Sequence, residues 1–175
     1  MVNGGRAAAQ EAPGALERVR ELLNTWLVPN DTRQPTDAFA GYATRHGLTR
    51  AERSELRELR DDLRGAVERA DDGDDRLNGW LRRSDLRPEI ENGTLVFRHA
   101  PGPAAELVAA VVAAVDDGRW PRLKACPDCR WVFYDHTRNG GKRWCLMTAG
   151  GPDGRSCGTI AKVRSHRQRQ AAQPF

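Results

Sequence analysis

The sequence contains no apolar run long enough to cross a bilayer. Its longest, Leu107 to Val115, is about half of the ~20 residues that a spanning helix needs. Met1 to Gln10 are polar and alanine-rich and lack the apolar stretch of a secretory leader. These two absences make the cytoplasm the expected location. No internal repeat is visible. No His-x-Glu occurs anywhere, and Ala125, not proline, precedes Cys126, which excludes the zinc-deaminase pattern. The acidic cluster Asp71, Asp72, Asp74 and Asp75 lacks the glycine and glutamate positions of an EF-hand loop. It reads instead as the solvated start of a helix, where carboxylates suit the positive end of the dipole. Asp, Glu and His show no catalytic spacing before residue 118, so no enzyme is expected there.

Acidic residues nearly vanish from the C-terminal third. Residues 119–175 carry 12 Lys+Arg against 3 Asp+Glu, whereas residues 1–118 carry 16 against 21. A segment of net +9 follows a body of net −5, which suggests that the two have different partners. Concentrated positive charge suits phosphates, because each contact releases counterions. The plainer alternative is an acidic body packed on a basic tail. At 39% hydrophobic and 30% charged residues, 175 residues fit one globular domain, or one domain plus a short appendage.

Apolar periodicity predicts a mainly helical body. Leu16, Val19, Leu23, Trp26 and Leu27 form one helical face that ends at Pro29-Asn30-Asp31. Thr36 caps a second helix with Ala38, Phe39 and Tyr42 inward and Gly47 at its end. Thr49 and Glu52 form a capping box opening a third, whose core positions are Leu56, Leu59, Leu63 and Val67. A fourth helix follows the acidic cluster. Arg87 to His99 reads as a hairpin turning at Asn92-Gly93, the favoured pair for a type I′ turn. Pro103 begins a last body helix with Leu107, Val108, Val111, Val112 and Val115 buried. Composition changes near residue 118. Asn24 and Thr25 interrupt an apolar face, so they either tie the helix to a neighbour or, with Trp26, line a small ligand pocket. Trp26, Phe39, Tyr42 and Trp80 would surround such a pocket, or simply form core.

Four cysteines follow as Cys126-x2-Cys129-x15-Cys145-x11-Cys157. In a reducing compartment such a set reads as metal ligands rather than disulfides. The first two intervals match a zinc ribbon, and Pro127-Asp128 suit the tight turn between the first pair. Trp131 to Tyr134 is expected as one strand, Thr137 to Gly141 as a turn, and Arg143-Trp144 as the return. The long third interval, Ala149 to Ser156, is rich in turn formers and can loop out. A redox Cys-x-x-Cys would leave Cys145 and Cys157 unexplained. His136 or His166 could replace one cysteine, but four thiolates already complete a tetrahedron and leave no open position for catalysis. The expected cofactor is one structural Zn2+ held by Cys126, Cys129, Cys145 and Cys157. Asp135 is read as an acceptor for Arg143 or for amides of the Thr137–Gly141 turn.

After Cys157 the chain reads as a basic helix, with Ile160, Val163 and Arg167 toward the zinc core and Lys162, Arg164, His166 and Arg169 outward. Arg138, Lys142 and Arg143 form a second basic group. Together Arg138, Lys142, Arg143, Lys162, Arg164, His166, Arg167 and Arg169 are the candidate nucleic-acid contacts. The segment resembles the CGNR zinc-finger family of bacterial proteins through several groups of residues. These are Cys126-x2-Cys129, Phe133, Asp135, Arg138-Asn139, Arg143-Trp144-Cys145-x-Met147, Cys157-Gly158 and Lys162-x-Arg164. The body resembles that family's usual partner, the ABATE domain, through Leu23-Asn24-Thr25-Trp26 and its helix–hairpin–helix order. The signature Cys-Gly-Asn-Arg is here Cys157-Gly158-Thr159-Ile160, and the loop before Cys157 is longer than the family's.

The expected architecture is therefore an α+β body, mainly helical with one hairpin, before a small treble-clef or ribbon-like four-cysteine module ending in a basic helix. Its divisions are a flexible arm over 1–14, an ABATE-like regulatory domain over 15–118, a CGNR-like zinc finger over 119–170 and a flexible tail over 171–175. The resemblance implies a DNA-binding transcriptional regulator whose body binds a small-molecule effector or forms a homodimer. An RNA-binding or protein-interaction module is the alternative.

Overall fold

The computed structural model describes residues 10–29, 32–68, 72–146 and 156–171. It is an α+β structure with six α-helices and three small antiparallel sheets among those residues. Helix α1 (Leu16–Leu23) is shorter than its periodicity predicts. Asn24 caps it, and Trp26–Leu27 leave the helix to form strand β1, paired with β2 (Thr36–Asp37). Thr36 is thus a strand residue and not a cap. The following helix α2 (Phe39–Arg45) is started by Asp37, whose Oδ1 accepts from the Phe39 N–H at 2.9 Å. Gly47, at φ +62°, ends it in the left-handed conformation that glycine adopts without strain.

Helix α3 (Arg50–Val67) has the full capping box. The Thr49 side chain accepts from the Glu52 N–H, and Glu52 returns a 2.7 Å bond to the Thr49 N–H. Leu56, Leu59, Leu63 and Val67 are all buried. Helix α4 (Gly73–Arg83) carries Asp74 and Asp75 in its first turn, and Asp71 lies outside the described residues. Strands β3 (Arg87–Glu91) and β4 (Thr94–Arg98) pair around Asn92-Gly93, both at positive φ, as a type I′ turn requires. In α5 (Pro103–Asp116) Leu107, Val108 and Val111 are buried with Ala104 and Ala114, whereas Val112 is half-buried and Val115 exposed.

A 3-10 turn over Trp120–Arg122 leads into β5 (Leu123–Ala125), which pairs with β6 (Val132–Tyr134). The partner of β6 therefore precedes the first cysteine pair, and Arg143-Trp144 form no strand. Helix α6 (Cys157–Ala171) closes the described chain.

The change of composition at residue 118 is not an edge of the core. Leu123, Val132 and Tyr134 pack in the same cluster as Leu22, Leu59, Trp80 and Val108. The end of the expected arm also needs correction, because Gln10 and Ala12 are buried; residues 1–9 lie outside the described residues. Of the expected tail, residues 172–175 likewise lie outside them. No described helix is long and apolar enough to cross a membrane.

Candidate metal centre

The first ligand pair sits on a turn between two short strands. Cys126 donates its N–H to the Trp131 carbonyl at 2.8 Å, and the Arg130 N–H bonds the Cys126 carbonyl at 2.9 Å. Arg130 adopts φ +60°, which folds the chain back after Cys129. The fourth ligand opens a helix. Ser156 Oγ accepts from the Thr159 N–H at 3.1 Å, so it caps α6 and places Cys157 in the first turn. A helix N-terminus favours a thiolate. Gly158 N–H bonds the Leu146 carbonyl at 3.0 Å, which joins that turn to the third ligand, Cys145.

All four sulfur atoms lie within 4.8 Å of one another, with Cys145 Sγ 3.5 Å from both Cys129 Sγ and Cys157 Sγ. A tetrahedron of Zn–S bonds near 2.3 Å has sulfur–sulfur edges of about 3.8 Å, so the observed spacing suits zinc. The four side chains are buried with Phe133, and Trp131 and Trp144 pack against them. Sulfur crowding splits the thiols: contacts with the other three push Cys126 far down, while Cys129 and Cys145 are pushed up. Four thiolates cannot share so small a space unless a dication balances them. Among the described residues no histidine or carboxylate joins the cluster. The site is therefore one structural Zn2+ centre with a closed, all-thiolate donor set. Cys126, Cys129, Cys145 and Cys157 meet as their spacing predicts; Met147 and residues 149–155 of the long third interval lie outside the described residues.

Residues 122–170 match the CGNR zinc finger family. No curated protein matches the chain. The match takes in the β5–β6 hairpin, the four ligands and most of α6.

Within the CGNR segment the basic turn is organised by residues that sequence reasoning missed. Arg122 Nη1 donates to the carbonyls of Asp135 at 3.0 Å and Thr137 at 2.7 Å. Lys124 Nζ donates to Asp135 Oδ2 at 2.8 Å and to the carbonyls of Gly140 and Lys142. The turn thus wraps its carbonyls around two cations, Arg122 from the 3-10 turn and Lys124 from β5. Asp135, fully buried, also accepts from the Thr137 N–H, the Thr137 hydroxyl and the Lys142 N–H. Arg143 is not its partner. Burial alone would raise the Asp135 pKa, but the Lys124 ammonium and the turn donors hold it well below the usual carboxylate range. Arg138 and Arg143 stay exposed and Lys142 half-buried, and these three help line a shallow recess of about 690 Å³ beside Trp144.

Among the described residues, helix α6 is buried only at its start, and an ion pair from Arg164 ties it further along. Cys157 and Gly158 are buried and Ile160 and Ala161 half-buried, whereas Lys162, Val163, Arg164, His166, Arg167 and Arg169 are all exposed. Val163 and Arg167 therefore do not face the zinc core, as their spacing had suggested. Arg164 Nη1 lies 3.6 Å from Asp128 Oδ1, which also receives Arg33 from the body.

The body grips the zinc turn. Asn24 Nδ2 donates to the Val132 carbonyl at 2.8 Å and its Oδ1 accepts the Val132 N–H at 2.7 Å, sealing an exposed strand edge. Gln10 completes the same edge by accepting the Tyr134 N–H and donating Nε2 to the Cys145 carbonyl at 2.6 Å. Buried Arg64 stacks on Trp26 and bonds the carbonyls of Leu23, Trp26 and Arg130. Thr25 Oγ1 bonds Leu22 and receives Arg60. Asn24, Thr25 and Trp26 are thus used as ties, and none lines the recess beside Trp144 or the groove bordered by Phe39, Ala40 and Arg57.

Proposed function

We propose that the protein is a DNA-binding transcriptional regulator in which α6 contacts the duplex, with the ABATE-like body as effector-binding or dimerisation part. The observation that carries this reading is the form of α6. Its first turn is fixed by Cys157 and Ser156, and from Lys162 onward it presents four permanent cations and His166 without a packed face of its own. Fifteen residues of helix span about 22 Å, a rod that a major groove about 12 Å wide admits. Arg138, Lys142 and Arg143 lie on the turn leading to Cys145, whose sulfur is 3.5 Å from that of Cys157, so both basic groups emanate from one zinc ion. Thr159 bonds back to Ser156 and Ile160 is half-buried, so the residues replacing the family's Asn-Arg serve the helix start. Base and phosphate contacts then come from Lys162 onward. The closed donor set supports a metal that shapes this surface and takes no part in catalysis.

The test is DNA affinity across salt. Arg164→Ala with Arg167→Ala should weaken binding and reduce the slope of log affinity against log salt by about 2. Unchanged affinity and slope would overturn the reading, and preference for RNA over duplex at equal salt would replace it.

A further inference from the structure

The body balances most of its arginines with carboxylates, and most of the exceptions fall together. Among the described residues before 118, Arg18, Arg20, Arg60, Arg64, Arg76, Arg83, Arg87 and Arg98 each form an ion pair within the body, and Arg33 pairs with Asp128. Arg45, Arg50, Arg53, Arg57 and Arg82 have none. Three of these five, Arg50, Arg53 and Arg57, line a single groove of about 500 Å³ between α2 and α3. The two acids in that groove do not answer them. Glu58 is taken by Arg83 through bonds of 2.6 and 3.1 Å, and Asp61 by Arg60 at 2.8 Å.

Spacings of three and four place Arg50, Arg53 and Arg57 on one face of α3, where like charges repel by a few tenths of a kcal/mol per pair. Arg53 spends its Nε on the Leu48 carbonyl at 2.9 Å, and Arg57 stacks 4.9 Å over Phe39, so both guanidinium groups are oriented while retaining free donors. The opposite wall is apolar and small, formed by the exposed Ala40 with Ala43 and Phe39 buried behind it. The Ser54 hydroxyl completes the lining. A volume in the range of small-molecule sites, a cationic wall and an apolar wall describe one kind of ligand.

We infer that this groove binds a small organic anion, whose carboxylate or phosphate meets Arg50, Arg53 and Arg57 while its apolar body lies along the exposed Ala40 side of the groove. The site names the effector class left open by the regulatory reading on which it rests. Binding is measured without DNA, so its failure and a failure of DNA binding are separate results.

The experiment is calorimetric titration of the full, zinc-loaded chain with benzoate, phenyl phosphate, inorganic phosphate and the neutral benzamide. Benzoate or phenyl phosphate should saturate one site, at least about tenfold tighter than benzamide and than inorganic phosphate. Benzoate alone binding assigns a carboxylate ligand, and phenyl phosphate alone a phosphate ester. Arg50→Ala with Arg57→Ala should weaken that binding about tenfold or more, whereas Arg45→Ala with Arg82→Ala, equal in charge but outside the groove, should change it less than about twofold. Equal losses in the two variants, equal affinity for inorganic phosphate, or no saturation by either anion below about 10 mM would overturn the inference. So would a loss of DNA affinity in the groove variant matching that of the α6 variant, which would place the groove under the duplex.

Discussion

Replacing Asn24 by alanine tests whether the body and the zinc centre are one cooperative structure. The Asn24 amide supplies both an acceptor and a donor to the backbone of Val132, at 2.7 and 2.8 Å. Val132 is fully buried and lies three residues beyond the ligand Cys129. In Asn24→Ala the Val132 carbonyl keeps a 3.4 Å contact from Arg20 Nη1, but its N–H loses its acceptor on the side facing the body. A buried donor left unsatisfied costs about 1–3 kcal/mol, and the weakened carbonyl bond adds about 0.5–1 kcal/mol. The expected loss is therefore about 1.5–4 kcal/mol, or roughly 3–16 °C in Tm for a chain of this size. Chemical denaturation gives the first quantity, and amide exchange at Val132 shows whether the loss arises at that edge. Because the strand carries the zinc turn, the variant should also surrender zinc to a chelator faster than the parent. A stability loss under about 0.5 kcal/mol, or a larger one with unchanged Val132 exchange, would refute the reasoning.

Elemental analysis should find one zinc per chain, and stripping it with a chelator should lower the stability of the body as well, since Leu123, Val132 and Tyr134 belong to its core. Arg64→Ala removes a buried cation that joins α1, β1 and the zinc turn, leaves three carbonyls unanswered, and should cost about 3 kcal/mol in denaturation. Asp135→Asn should loosen the 135–142 turn at pH 7, read as faster exchange of the Thr137 and Lys142 amides. Because the folded Asp135 pKa is depressed, its contribution is complete above the ordinary aspartate value of 3.8 and is lost as pH falls below that value. The difference between parent and variant should accordingly stay flat from neutral pH down toward 4 and shrink only below it. Thr49→Ala should cost about 1 kcal/mol by opening the α3 capping box.

What could be read from the sequence was local. The capping box at Thr49 and Glu52, the Asn92-Gly93 turn and the four cysteines each announce themselves within a few residues, because the physics that fixes them is short-ranged. Trp26-Leu27 and Thr36 were misread for a related reason: apolar spacing continues past Leu23 as if the helix did, but the pairing of Trp26 with Asp37 spans eleven residues and has no periodic mark. The partner of β6 was missed in the same way, since Leu123–Ala125 looks like a connector until it is seen beside Val132–Tyr134. The least legible feature was the dependence of the metal site on the body. Gln10, Asn24 and Arg64 reach Cys145, Val132 and Arg130 across more than sixty positions, and single polar contacts at that distance leave no pattern in one chain.

That dependence alters what the zinc does here. A metal in an isolated finger of about fifty residues stabilises that finger alone, because so short a segment buries little core. In this chain the turn bearing Cys126 and Cys129 shares its strands with the body's core and its outer edge with Asn24 and Gln10. Metal binding is then linked to the folding of the whole, and a ligand that stiffens the body raises the retention of zinc by the same free energy with which zinc favours that ligand. Helix α6 begins at the fourth sulfur, so Cys157 joins the basic helix directly to the metal centre. An anion held between α2 and α3 would thus be coupled to α6 through the shared core and the ion, with no contact between the two sites.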